Sequence, residues 1–174
     1  MKIIEGMKKI KDLQRKADDL QRKVKENCAL LSFETPPYGK DQQLQVAKWS
    51  QAHGDILQEI LDIRLRIQST NLCTPVTINI GEQHVTKSIA AWIHRRRDLA
   101  NKQCEMYMSL TDRGLKEGAL PSSTKDGESK EVKIVRFFDP ASRDKMIDIY
   151  RSEPSLIDAT LEVVNATTDL IEQV

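Results

Sequence analysis

Apolar residues in the first part of the chain recur at spacings of three and four. They fall at Ile3, Met7, Ile10, Leu13, Ala17, Leu20, Val24, Cys28 and Leu31, which draws one narrow stripe along one side of a helix. A second run, Trp49, His53, Ile56, Ile60, Ile63, Ile67 and Thr70, keeps the alternating steps of four and three that define a heptad seam. Between them, residues 32–40 (SFETPPYGK) carry prolines and a glycine, a composition that stops one helix and reverses the chain. A connection this short makes its helices antiparallel neighbours, so residues 1–71 are predicted to form a long helical hairpin of coiled-coil type. Its seam is expected at Ile10, Leu13, Leu20 and Val24 on one arm and at Ile56, Ile60, Ile63 and Ile67 on the other. Ridges of that length call for cover by further protein.

Single residues refine the two arms. Asn27 occupies a seam position, where a polar side chain fixes register. His53 lies on the apolar stripe with no second ligand three or four residues on, so it reads as a seam residue. Gly54 beside it implies a close backbone approach or a local irregularity. Gly6 marks a weak point near the start of the first helix, where fraying costs least, and Asp41 is suited to cap the second.

The period then changes to two. Val76, Ile78 and Ile80 alternate with Thr77 and Asn79 as in a half-buried strand, and Gly81 and Glu82 turn the chain into a short return ending at Val85, giving a hairpin over 74–85. A third helix is predicted over 86–114, capped by Thr86 or Ser88 and bearing Ile89, Trp92, Ile93, Leu99, Ala100, Met106, Tyr107 and Leu110. Arg96 and Gln103 share a seven-residue row with Ile89 and Leu110, so the middle of this helix is expected to be partly wet. Cys104, Met106 and Met108 read as packing. Residues 115–131 form a polar loop, and 132–138 alternate as a third strand that would extend a hairpin otherwise marginal in water. Asp139 as N-cap and Pro140 at the first helical position open a final helix, 139–174, in which Pro154 predicts a kink or a fresh start near Ser152. The expected fold is a single, mainly α domain over 1–174. It comprises an antiparallel coiled-coil-like hairpin, two further helices and a small three-stranded antiparallel β element.

Composition narrows the class. Three Phe, three Tyr and two Trp among 174 residues make a poor bulky core, so Ile and Leu must fill elongated helix contacts. The longest apolar runs are a few residues, against the roughly 20 that span a bilayer, and no membrane partner is expected. Lys8, Lys9 and Lys11 interrupt any secretory apolar segment, which points to the cytoplasm or to a virion assembled there. Cys28, Cys73 and Cys104 are odd in number and far apart, which supports free thiols rather than a disulfide framework or a zinc knuckle.

Charge is segregated although the net value is only +1. Residues 1–31 carry nine Lys/Arg against five Asp/Glu and residues 86–116 seven against three, +4 each, whereas 139–174 carry three against eight, −5. Such segments either steer helix pairing or meet an anionic partner. The sharpest cluster is His94, Arg95, Arg96 and Arg97. Successive helical positions point about 100° apart, so the four cannot form one flat patch, although two could flank a phosphate. Pairing with the acidic final helix is the first reading and anion binding the second; as nucleic-acid readout the cluster lacks interleaved aromatics.

Catalytic chemistry finds no constellation. The three histidines are scattered, and there is no glycine-rich phosphate loop, nucleophile elbow or metal-spaced pair, so no cofactor, metal or catalytic residue is assigned. The expected function is that of a non-enzymatic structural protein, a homo-oligomer or a component of a larger particle such as a phage virion. The alternative is an anion or nucleic-acid binder using His94, Arg95, Arg96 and Arg97 with the basic first helix.

The order of parts also carries a resemblance. Lys11-Asp-Leu-Gln-Arg15 in the opening heptads, Arg66-Ile-Gln-Ser-Thr-Asn71, the Thr-rich hairpin, Arg97-Asp-Leu99, Lys133-Ile-Val135 and the closing Asn165-Ala-Thr-Thr-Asp-Leu170 resemble the septicolysin-like family of small bacterial helical proteins. The likeness spans nearly the whole chain and departs in the Lys-rich first helix, at Pro154, and at Ala166, where an aromatic is expected. It implies long helices with a small sheet and brings no catalytic residues to carry over. The cytolysin in the family's name has no counterpart in these residues.

Overall fold

The computed structural model describes residues 1–120 and 130–172. Residues 121–129, within the predicted polar loop, and 173–174 lie outside the described residues. The protein is mainly helical with a small antiparallel β component. In order come α1 (Ile3–Asn27), a 3-10 turn (Gly39–Asp41), α2 (Gln42–Cys73), β1 (Pro75–Ile80), β2 (Gln83–Ser88) and α3 (Ile89–His94). A π-helical turn (Arg95–Leu99), α4 (Ala100–Met108), β3 (Gly118–Leu120), β4 (Lys130–Val132) and α5 (Pro140–Thr167) complete the chain. Two compact units are present, Met1–Val76 with Ser88–Ala90 and Thr160–Val174, and Thr77–Lys87 with Ala91–Ala159.

In the first unit α1 packs on α2 through Leu13, Ile60 and Ile63, all buried, with Ile10, Ile56 and Ile67 against them. Each such side chain withdrawn from water contributes about 1.5–3 kcal/mol. Lys9 Nζ lies 2.6 Å from Glu59, and Gln42 Nε2 donates to the Asn27 carbonyl at 2.8 Å. Asp41 makes no side-chain cap; the 3-10 turn leads into α2 instead. Gly6 is no fraying point. It is buried, and a Cβ there would stand 3.1 Å from the Leu170 side chain, so its bareness seats that leucine. The segment after α5 closes on the start of α1: Ile3 donates to the Thr168 carbonyl, Leu170 donates to the Met1 carbonyl, and Lys2 Nζ reaches Asp169 at 2.5 Å. Thr70, fully buried, donates to the Arg66 carbonyl and accepts from Ile171 N–H, so its hydroxyl is satisfied on both sides.

In the second unit Gly81, at φ +61°, turns β1 into β2, and an added Cβ there would meet Ile149 of α5 at 3.0 Å. Lys145 Nζ pairs with Glu82 on the same turn at 3.0 Å. Two expectations are corrected here. The helix predicted from residue 86 starts at Ile89, because Thr86 to Ser88 remain in β2, where the Thr77 and Thr86 hydroxyls share a hydrogen bond across the strands. Among the described residues no three-stranded element is formed. The strand expected over 132–138 ends at Val132 and pairs antiparallel with β3, so the described residues hold two two-stranded pairs, β1 with β2 and β3 with β4. Asp139 caps α5, accepting from Ser142 N–H at 2.9 Å. Pro154 lies inside a single helical element, and the Ser152 hydroxyl donates back to the Ile149 carbonyl rather than capping a new start.

Candidate functional site

In the second unit a group of polar side chains gathers around Arg95. A π turn takes one residue more than an α turn, and such turns concentrate at functional sites. Between Trp92 and Ala100, both fully buried, the extra residue shifts the helix phase, so that the inward row continues through Ala100 and Cys104. The seven-residue row of Ile89, Arg96, Gln103 and Leu110 read from the sequence is thereby broken.

Arg95 sits on that turn and grips Glu153 of α5 with a bidentate fork, Nε to Oε1 and Nη2 to Oε2. The Glu153 side chain is 1% exposed, which makes it a buried carboxyl group paired with a guanidinium. Arg95 Nη2 also donates to Gln103 Oε1 at 2.9 Å, and its guanidinium lies 5.5 Å over the Tyr150 ring, which stacks on Tyr107. The hydrogen bond to Glu153 raises the Arg95 pKa further above its ordinary value. Burial raises that of Tyr150, so its phenol stays protonated. A cavity of about 270 Å³, walled by Trp92, Lys87, Gln83 and Tyr150, opens beside the pair. Both Glu153 oxygens are engaged by Arg95, so the pair presents a fixed clamp rather than a free base or an open guanidinium fork.

The predicted cluster is thus divided. Arg95 turns inward to Glu153, and Arg96 pairs with Asp158 of α5. His94 and Arg97 are exposed. Pairing with the acidic final helix, the first expectation for this cluster, is formed by Arg95 and Arg96; the sequence reading singles out neither Glu153 nor Tyr150 as its partners, and Gln103 only as a polar break in the helix face. A signal for Glu153 was present: it falls on the apolar row Met146, Tyr150, Ile157, Leu161 of α5, where a charge requires a partner. Among the described residues no group of three or more His, Cys, Asp or Glu is placed to hold a metal, and no helix is long and apolar enough to cross a membrane.

The predicted seam residues occupy one face of α2 and its neighbour α1. Leu13, Ile60 and Ile63 are buried, while Ile10, Leu20, Val24, Ile56 and Ile67 are half-buried. A second apolar face of α2 went unread. Leu57, Leu61, Leu65 and Leu72 are 50%, 46%, 41% and 65% exposed. At about 100° per residue these leucines share an arc of roughly 80°, some 135° around the helix from the isoleucine face.

Residues 9–170 match the model of a protein family described as a family of unknown function, DUF6847. No curated protein and no solved structure matches the chain.

Proposed function

The chain belongs to the DUF6847 family of unknown function, and on that premise we propose that it is a non-enzymatic structural protein that self-associates or docks into a larger assembly through its helices. One observation carries this reading: the leucine face of α2 remains open to solvent although the isoleucine face of the same helix is taken up by α1. Contiguous exposed apolar surface of this kind marks an interaction site. We take α1 and α2 to be an antiparallel, coiled-coil-like hairpin, a reading supported by Lys9 beside Glu59 and Gln42 beside Asn27. The resemblance to septicolysin-like proteins belongs to the same proposal and adds no chemistry to it. The assembly is a homo-oligomer or a particle such as a phage virion, in the cytoplasm where such a particle is built. Light scattering after size exclusion of the full chain at micromolar concentration tests this: an oligomer mass is expected, and a well-folded monomer would remove the main support.

Anion or nucleic-acid binding at His94, Arg95, Arg96 and Arg97 is a second reading, favoured by the exposure of His94 and Arg97. Arg95 and Arg96 already hold carboxylates, which weakens it. Retention on heparin should fall when Arg97→Ala is made if this reading holds, and steeply with salt.

A further inference from the structure

The outer face of α2 has two unlike halves. Its C-terminal half carries Leu57, Leu61, Leu65 and Leu72, and its N-terminal half carries, on the same arc, Ala47, Ser50 and Gly54, all exposed. Gly54 is the sharper puzzle. A glycine inside a helix weakens it, and its usual return is a close approach by a neighbour. Here, among the described residues, nothing stands within 4 Å of where its Cβ would be. Of the two readings the sequence offers at this position, a close approach or a local irregularity, the close approach is not made among the described residues.

We infer that a second copy of this chain docks antiparallel along the outer face of α2, with the two-fold axis near Leu57 and Gln58. The inference rests on the self-association proposed above and names its surface and geometry. Reversing the helix about that point sets Leu61 of the second copy over Gly54 and its Leu65 over Ser50, while Gln68 meets Ala47 and Leu57 meets Gln58. Large side chains then enter the gaps left by small ones, as close packing requires. A parallel pair would stack leucine on leucine at one end and leave a row of voids at the other. A surface whose two halves complement one another in reverse order is matched by its own copy, and an unrelated partner would impose no such order.

Gly54→Leu separates folding from association. With open space at the position and a better helix former installed, the thermal midpoint of the full chain should hold or rise. The light-scattering mass should nevertheless halve, because the new side chain collides with Leu61 of the second copy. Adding Leu61→Ala to Gly54→Leu exchanges large for small and should restore the dimer. Geometry is read by spin labels in a Cys28→Ser, Cys73→Ser background. Labels at Gln58→Cys should lie close together, and labels at Ser69→Cys should be about 35 Å apart at roughly 1.5 Å rise per residue. A dimer that ignores Gly54→Leu, or brings the Ser69→Cys labels together, overturns this geometry and leaves self-association standing. A native chain that stays monomeric at tens of micromolar overturns both. A monomer that floats with phosphatidylglycerol vesicles through these leucines would assign the face to a lipid surface instead.

Discussion

The seam between α1 and α2 and the clamp between the π turn and α5 join helices by opposite means. The first is apolar, built of Leu13, Ile60 and Ile63 with half-buried isoleucines around them. The second is ionic, one carboxylate 1% exposed and gripped by one guanidinium. An apolar seam spreads its free energy over many weak contacts, so losing one leaves a cavity that neighbours partly fill. A buried ion pair concentrates its energy in one geometry, and losing either member strands the other in a medium that solvates it poorly. The seam should therefore degrade in steps and the clamp fail at once.

The largest effect is expected at the clamp. Glu153→Ala leaves the Arg95 guanidinium without its carboxylate and should cost about 3–5 kcal/mol in urea unfolding. Combining Glu153→Leu with Arg95→Met should recover most of that loss, since apolar replacements of similar volume often equal a buried pair. If the double variant is as unstable as the single one, packing around the pair matters more than its charge. In the seam, Ile63→Ala should cost about 3 kcal/mol by the same measurement. On the opposite face of the same helix, Leu61→Ala should move the unfolding free energy of the monomeric chain by no more than about 0.5 kcal/mol.

The smallest effect is electrostatic and belongs to the surface. Lys2 above all, with the N-terminal amine, lowers the Asp169 carboxyl below its usual range, and Arg136 lowers Asp112 through hydrogen bonds of 2.7 Å. A lowered folded-state pKa gives stability that is complete above the unfolded value, about 3.9, and is lost as pH falls through the lower folded one. Asp169→Asn should accordingly lower stability slightly at neutral pH, where this contribution is complete, flatten the fall of the curve below about pH 4, and converge with the native chain at the acid end. Urea midpoints measured across that range decide it, and an unchanged acid slope would show that the Lys2 contact is screened away.

What the sequence disclosed follows from the same contrast. Ile56, Ile60, Ile63 and Ile67 repeat at a period that only a helix face satisfies, so their burial was legible. The leucines of α2 were hidden by that very regularity, because a helix apolar on two faces shows its stronger rhythm first. The clamp joins residues 58 positions apart, and no local pattern links Arg95 to Glu153. The π turn hid the inward row further, since any reading at constant pitch carries Arg96 and Gln103 forward with Ile89. The short β4 was overread because Val132 to Phe138 alternate well, whereas its only described partner strand, β3, spans three residues.

The surplus residue of the π turn acts as a shim. Forcing the same residues into ordinary α geometry would turn everything beyond the shim by about 100°. Ala100 and Cys104 would swing off the interior side and Gln103 would swing toward it, swapping a dry lining for an amide. The π turn thus sets which side of this helix the molecule treats as its inside.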